Sequence, residues 1–279
     1  MTGLSDVDAR ITSIEQLDSV VNALRGMSAA RARQARNQIA AVDGHAAAIA
    51  QAIGSVLGRI RPGADTASGA DVRTLVLFCA EQGFVGAFTE RVLDAARERL
   101  RGARLLLVGS RGLALARERG IHPDWDAPMP SRSSGIPKLA DRIAQAVYSP
   151  GARQRLGGLD AIFSRCRDDG SVEIAHRQLV PLDPHGFADL EGASPVLFNL
   201  APEVLLAGFT ADYVHAQLCN AALHAFAAEN QARMQAMGQA RDHIQRKLLE
   251  LRAARQVIRQ EEITAEIIEL ATGEMASHR

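Results

Sequence analysis

Several short stretches of this sequence carry the residue types that binding and catalysis use. Gly83-Phe84-Val85-Gly86 lies between an apolar run and a helical one, the place where glycine loops cradle phosphate. It lacks the third glycine of a dinucleotide fingerprint, and no Gly-Lys-Ser/Thr follows, so a tight turn is the stronger reading. Gly109-Ser110-Arg111-Gly112 closes a second apolar run; its arginine has phosphate chemistry, but a surface turn suits the pattern better. Asp168, Asp169, Glu173 and His176 resemble a metal-ligand set on paper. Asp168-Asp169-Gly170-Ser171 reads instead as a hairpin turn, with Glu173 and His176 on opposite faces of the next strand. The histidines show no ligand spacing, and no serine or cysteine sits in a nucleophile elbow. The expectation is a chain with no catalytic residue, metal or cofactor of its own.

Two basic stretches remain. Arg25, Arg31, Arg33 and Arg36 lie near the start, and Arg233, Arg241, Arg246, Lys247, Arg252, Arg255 and Arg259 near the end. The second is interspersed with Asp242, Glu250, Glu261 and Glu262, which suits a solvated face or a protein partner better than nucleic acid. Over 279 residues, 32 basic and 32 acidic side chains cancel, so the basic excess of a nucleic-acid binder is missing. No apolar run approaches the roughly 18 residues of a membrane span, so the chain is expected not to cross a bilayer by itself. Asp6 and Asp8 are wrong for a secretory signal. Cys79, Cys166 and Cys219 are odd in number and far apart, which argues against a disulfide framework and for a reducing compartment.

The elements that must position these residues follow from proline and aromatic placement. All 10 prolines fall between Pro62 and Pro202, and no aromatic precedes Phe78 or follows Phe226. Proline costs about 3 kcal/mol inside a helix, so the two proline-free ends are free to be continuous helix. In the first, Ile14, Leu17, Val21, Leu24 and Ser28 follow steps of three and four. The series continues through Arg31, Ala35, Gln38, Val42, His45, Ile49, Ala52 and Val56, with Ile39, Ala46, Ile53 and Ile60 taking over the apolar role by a slide of one residue. A helix from Ser5 to about Leu57, ended by Arg61-Pro62-Gly63, is predicted. The last begins after Pro202 and runs to about Ala271. Between them, strands are predicted at 73–79, 104–109, 159–167 and 172–181, and helices at 88–101, 113–119 and 136–148. The fold class is α/β: a long antiparallel coiled coil of N- and C-terminal helices plus a small, largely parallel, Rossmann-like α/β domain. The expected organisation is 1–61, 62–201 and 202–279.

At this point a family resemblance enters. Glu229-Asn230-Gln231-Ala232-Arg233-Met234-Gln235-Ala236-Met237 resembles the Glu-x-x-Ala-Arg-Met-x-Ala-Met signature of the gamma subunit of F-type ATP synthases. Arg259-Gln260-Glu261-Glu262-Ile263-Thr264-Ala265-Glu266-Ile267 is similar to that family's Arg-Gln-x-x-Ile-Thr-x-Glu-Leu. Arg10–Ile14 and Ala23–Arg31 fall where the family's first helix places them, and Gln82–Gly86 is similar to its Arg-Gly-Leu-Cys-Gly. Glu81-Gln82 replaces the usual Asp-Arg, Leu24 a common methionine and Asn22 a frequent lysine, which marks a divergent branch.

The resemblance implies a non-catalytic central-stalk rotor. Its shaft would lie inside a ring of alpha and beta subunits, with its α/β domain against epsilon and the c-subunit ring. It would be peripheral on the cytoplasmic face of the cell membrane, with no nucleic acid and no small-molecule substrate. Carried over residue by residue, the ring contacts are Leu24, Arg25, Arg259, Gln260, Thr264 and Glu266. Leu24 and Arg25 would meet an acidic lever on beta. Ile263, Ile267, Ile268, Leu270 and Met275 would form an apolar bearing. The alternative is a coiled-coil adaptor or nucleic-acid-binding arm on an α/β domain, which predicts salt-sensitive affinity for RNA or DNA.

Overall fold

The computed structural model describes residues 3–57, 72–148, 156–182, 187 and 199–277, with side chains to residue 270. The end of the first helix at Arg61-Pro62-Gly63, and Ile60 before it, lie outside the described residues. Helix α1 spans Leu4–Leu57 and the C-terminal helix, α5, spans Pro202–Ser277. Between them come β1 (Val72–Phe78), α2 (Phe88–Ala96), β2 (Arg104–Val108), α3 (Ser110–Glu118), β3 (Trp125–Ala127), α4 (Ile136–Val147), β4 (Leu156–Cys166) and β5 (Val172–Val180).

The strands form one sheet in the order β3-β2-β1-β4-β5. Every pairing is parallel except β4 with β5, a hairpin closed by the turn that places Gly170 at φ +80°. β1 sits at the centre, and Leu75 to Ala80 are all buried, as expected for a strand covered on both faces. Its alternation sorts the core. Val76 and Phe78 pack with Leu106, Val108, Ile136, Leu139, Ile143 and the stretch of α5 around Leu218–Ala227. Leu75 and Leu77 pack with Leu105, Leu107, Phe88, Val92, Leu93 and Ala116.

Two compact units emerge, and both long helices contribute to each: residues 28–233 form one, and residues 1–27 with 234–279 the other. In the larger unit α5 is buried nearly all round, with Leu218–Arg233 shielded except for a partly exposed His224. That environment accounts for its alanines, since small side chains allow several elements to approach one helix. In the smaller unit Val7, Ile11 and Val21 of α1 bury against Met237, Ile244 and Leu248 of α5, with Ile14, Leu24, Leu251 and Ile258 at the margin. Ion pairs Arg241–Asp18 (3.5 Å), Arg252–Glu15 (2.7 Å) and Arg255–Asp8 (3.4 Å) flank this seam. Position rises on one helix as it falls on the other, so the pair is antiparallel.

The seam corrects the sequence reading in one respect. Leu17 is half exposed, and Asp18 occupies the inward position, held by Arg241. Buried or half-buried residues of α1 include Val7, Ile14, Val21, Ser28, Ala35, Val42, Ile49 and Val56, with Ile11, Asp18, Ala32, Ile39, Ala46 and Ile53 four residues on, and Leu24, Arg31, Gln38 and Ala52 are half-buried as well. The first series keeps heptad spacing along the helix; beside it Leu24 rather than Arg25 lies in the seam, and Ala32, Ile39, Ala46 and Ile53 carry the burial further on, in line with the expected slide of one residue, while His45 is exposed. A second correction concerns hydropathy: α1 contains an 18-residue window of mean hydropathy 1.3, long and apolar enough by composition to cross a bilayer. Alanines raise that average without forming an apolar run, while Ala46, Ile49, Ala50 and Ile53 pack against Phe187 and Ala216.

Smaller differences have local causes. β3 was not expected, because three residues between Pro123 and Pro128 are too few to read; the edge of β2 supplies its partners. α2 ends at Ala96 rather than Arg101, its chain tightening into turns that finish at Gly102, φ +73°. α5 continues six residues past the expected end.

Burial also fixes the thiols. It pushes the Cys79 thiol up to about 12, with the Glu229 charge adding to the effect, and Cys219 up to about 11, with Asp141 adding. Both are buried, whereas Cys166 is only partly so. Maleimide labelling at pH 8 followed by mass spectrometry is expected to modify Cys166 first and to reach Cys79 and Cys219 only on unfolding. Rapid native labelling of Cys79 would contradict this core.

Candidate functional site

β1 ends at Phe78 and the chain turns through Cys79 to Ala87 before α2. This is the carboxyl edge of a largely parallel sheet, where α/β folds place ligands. Here protein groups fill it. The Glu81 carboxylate accepts from the backbone N–H of Ser110 (2.9 Å), the Ser110 hydroxyl (2.8 Å) and the N–H of Met129 (2.8 Å). It therefore caps the first turn of α3, the position where an external anion would otherwise sit. Capping also explains why α3 starts at Ser110, three residues before the expected Leu113. Gly109 (φ +113°) makes the close approach possible, since a Cβ there would lie 2.6 Å from the Cys79 carbonyl oxygen. Neither glycine loop is left as an open phosphate cradle.

The first loop is gripped from its other side by α5. Glu229 and Arg233, one turn apart, form an ion pair at 2.5 Å with both side chains almost fully buried. Glu229 accepts from the N–H groups of Glu81 and Gln82, each at 3.1 Å. Arg233 donates to the carbonyls of Gly83 (3.1 Å) and Gln82 (3.2 Å). Donors and acceptors of one loop are thus matched by a charged pair from one helix, which satisfies both charges on burial. Beyond the grip, Phe84 stands at φ +60° and is 71% exposed. Left-handed backbone is costly for a residue with a side chain, so the clamped neighbours must hold it there.

The paper metal set is resolved into ordinary contacts. Ser171 donates its N–H to Asp169 (2.8 Å), Glu173 pairs with Arg165 and Arg167, and His176 lies 3.2 Å from Asp160. Hydrogen bonds from Arg165 and then Arg167 hold the Glu173 carboxyl below the usual range. Among the described residues no His, Cys, Asp and Glu side chains converge on a metal position.

The carried-over contact residues are not brought together at one point. Leu24 is half-buried in the helix seam, and Arg25 beside it is exposed. Arg259, Gln260, Thr264 and Glu266 are exposed on α5, with the Thr264 hydroxyl donating to the Gln260 carbonyl at 2.8 Å. Ile263, Ile267, Ile268 and Leu270 are exposed by 47–74%. The side chain of Met275 lies outside the described residues. From sequence, Glu229 enters only within a signature and Glu81 only as a departure, while Arg233 is also counted in a basic stretch read as a solvated face or a partner surface; the structure buries Arg233 instead. The signal that could have found them is a Glu–Arg pair one turn apart in an otherwise alanine-rich buried stretch.

This geometry defines an α/β sheet whose carboxyl edge is occupied by protein groups, together with an antiparallel helical pair. A family model described as ATP synthase matches residues 3–276. The ATP synthase gamma chain of Chlorobium phaeobacteroides is 23% identical over 287 residues, covering 98% of both chains. That of Geotalea daltonii is 25% identical over 288 residues with the same coverage. Among solved structures, the rotor of the Euglena gracilis mitochondrial ATP synthase superimposes with a TM-score of 0.62 at 13% identity, covering 93% of this chain and 98% of that one. The central stalk of the Tetrahymena thermophila mitochondrial enzyme gives 0.53 at 17% identity, over 79% and 99%. The chain belongs to the gamma-subunit family of F-type ATP synthases.

Replacing Glu81 with Ala leaves the Ser110 and Met129 donors without their carboxylate and is expected to cost about 2 kcal/mol or more in urea unfolding. Titration calorimetry of the intact chain with ATP or ADP is expected to show no heat of binding. An unchanged unfolding midpoint, or measurable nucleotide binding, would refute the filled-site reading.

Proposed function

We propose that this chain is the rotating central stalk of its ATP synthase, with nucleotide chemistry confined to beta subunits around it. The observation that carries the reading is the course of α5 past its partner. Among the described residues Ile258 is the last packed into the seam, and every residue from 259 to 270 is exposed, including four large aliphatic ones. Exposed Ile263, Ile267, Ile268 and Leu270 so close together call for a surrounding surface. An alpha–beta ring supplies one, and aliphatic side chains, whose contacts are non-directional, suit a surface that must slide.

In this reading Ile263, Ile267, Ile268, Leu270 and Met275 form the bearing. Arg259, Gln260, Thr264 and Glu266 are the polar grip of the ring, and Arg25, supported by Leu24, faces the acidic lever of beta. One asymmetric shaft touches three chemically identical sites differently, so their nucleotide affinities differ, and turning the shaft exchanges them. Residues 62–201 would sit against epsilon and the c ring, between the shaft segments 1–61 and 202–279. The assembly would hold the chain at the cytoplasmic face of the membrane.

Arg259→Ala combined with Gln260→Ala removes exposed side chains, so the isolated chain is expected to keep its unfolding midpoint within about 0.5 kcal/mol. The same pair is expected to lower ATP turnover in a reconstituted alpha–beta–gamma complex. Full turnover with both substitutions would remove the assigned grip. Absence of alpha and beta from native co-purification would remove the rotor reading.

A further inference from the structure

Within residues 28–233, the face that α5 turns to its surroundings is dominated by small side chains, with Ala221, Ala222, Ala225, Ala227 and Ala228 all buried. Such a face allows close approach, but apolar contact is non-directional and offers little resistance to a helix turning about its own axis. Two polar nodes, together with a contact at 3.0 Å between His215 of α5 and Asp141 of α4, supply direction. At the first, Arg177 of β5 donates to Gln217 and Asn220 of α5, and Asn220 donates to Asp43 of α1. At the second, Glu229 and Arg233 hold loop 81–83 by four hydrogen bonds. The nodes are about 20 Å apart along the helix, at about 1.5 Å per residue.

The second node falls where α5 passes from one compact unit to the other, since Arg233 is the last residue of the larger unit. A buried ion pair of this kind adds little net stability over an apolar pair of the same volume. What it adds is a fixed orientation. Glu229 reads only N–H groups and Arg233 only carbonyls, so rotation of α5 in either sense breaks bonds on one side of the loop.

We infer that the grip of Glu229 and Arg233 on loop 81–83 is the torsional lock through which torque passes between the α/β domain and the C-terminal helix. The two are positioning residues for the rotary reaction, and the inference rests on the rotor reading above. The central stalk's other helix is tied to the same body through Asp43, so the lock acts on the helix that continues past Ile258, the last described seam residue.

The test uses the complete membrane complex in sealed vesicles, with the chain carrying Arg233→Lys. Lysine keeps the charge beside Glu229 but cannot fork to two carbonyls. The ions accumulated per ATP hydrolysed are expected to fall about fivefold, while ATP turnover of the detached alpha–beta–gamma complex stays unchanged. Glu229→Gln with Arg233→Met, which buries no charge, is expected to behave the same way and guards against misfolding of the lysine variant. Unchanged accumulation per ATP in assembled complexes of both variants overturns the lock. Equal losses in detached and membrane-bound turnover also overturn it, because that is the mark of general damage. Failure of the unsubstituted chain to assemble with alpha and beta instead sinks the rotor reading on which the lock rests.

Discussion

The 76 residues of α5 have to satisfy two different environments without a break in the helix. From Leu218 to Arg233 the helix is enclosed, and from Met237 to Ile258 it presents one stripe to a single partner. Enclosure selects alanine with a few polar residues whose partners are fixed, and pairing selects Met, Ile and Leu at heptad spacing. The absence of proline after Pro202 allows one helix to do both. If α5 broke between these stretches, the sheet would lose a covering helix and α1 would lose the partner of its first heptads.

The carboxyl edge of the sheet shows how a fold associated with ligand binding is turned to structural use. Glu81 supplies its own anion to the start of α3, and Glu229 supplies a second to the N–H groups of the loop. Both carboxylates are covalently part of the chain, so no external ligand has to bind before the loop is ordered. The loop that would hold a cofactor becomes a rigid joint between sheet and helix. Its exposed Phe84, kept in left-handed backbone, shows how firmly that joint is fixed.

Much of this was legible in sequence because the signals are periodic. The proline-free ends gave both long helices, and the continuous apolar runs at 75–78 and 105–108 gave the central strands. What escaped depended on contacts between distant segments. Leu17 looks like the better seam residue on hydrophobicity alone, yet Asp18 occupies the position because Arg241 of α5 pairs with it. β3 exists only because β2 has an open edge beside it. Glu81 lies about 150 residues before Glu229 and Arg233, and no local pattern joins it to them. The exposed aliphatic residues after Ile258 were recognised through family likeness, and the structure adds where the helix seam ends.

An antiparallel helical pair, a sheet domain whose loop is gripped by α5 and exposed aliphatic residues after Ile258 are the features on which the proposed central stalk rests. Observation of rotation tests their joint action most directly. With the alpha–beta ring of this enzyme fixed to a surface and a bead attached to residues of the α/β domain, added ATP is predicted to drive sustained turning in one direction. A bead that only jitters while the same complexes hydrolyse ATP at full rate would contradict the account.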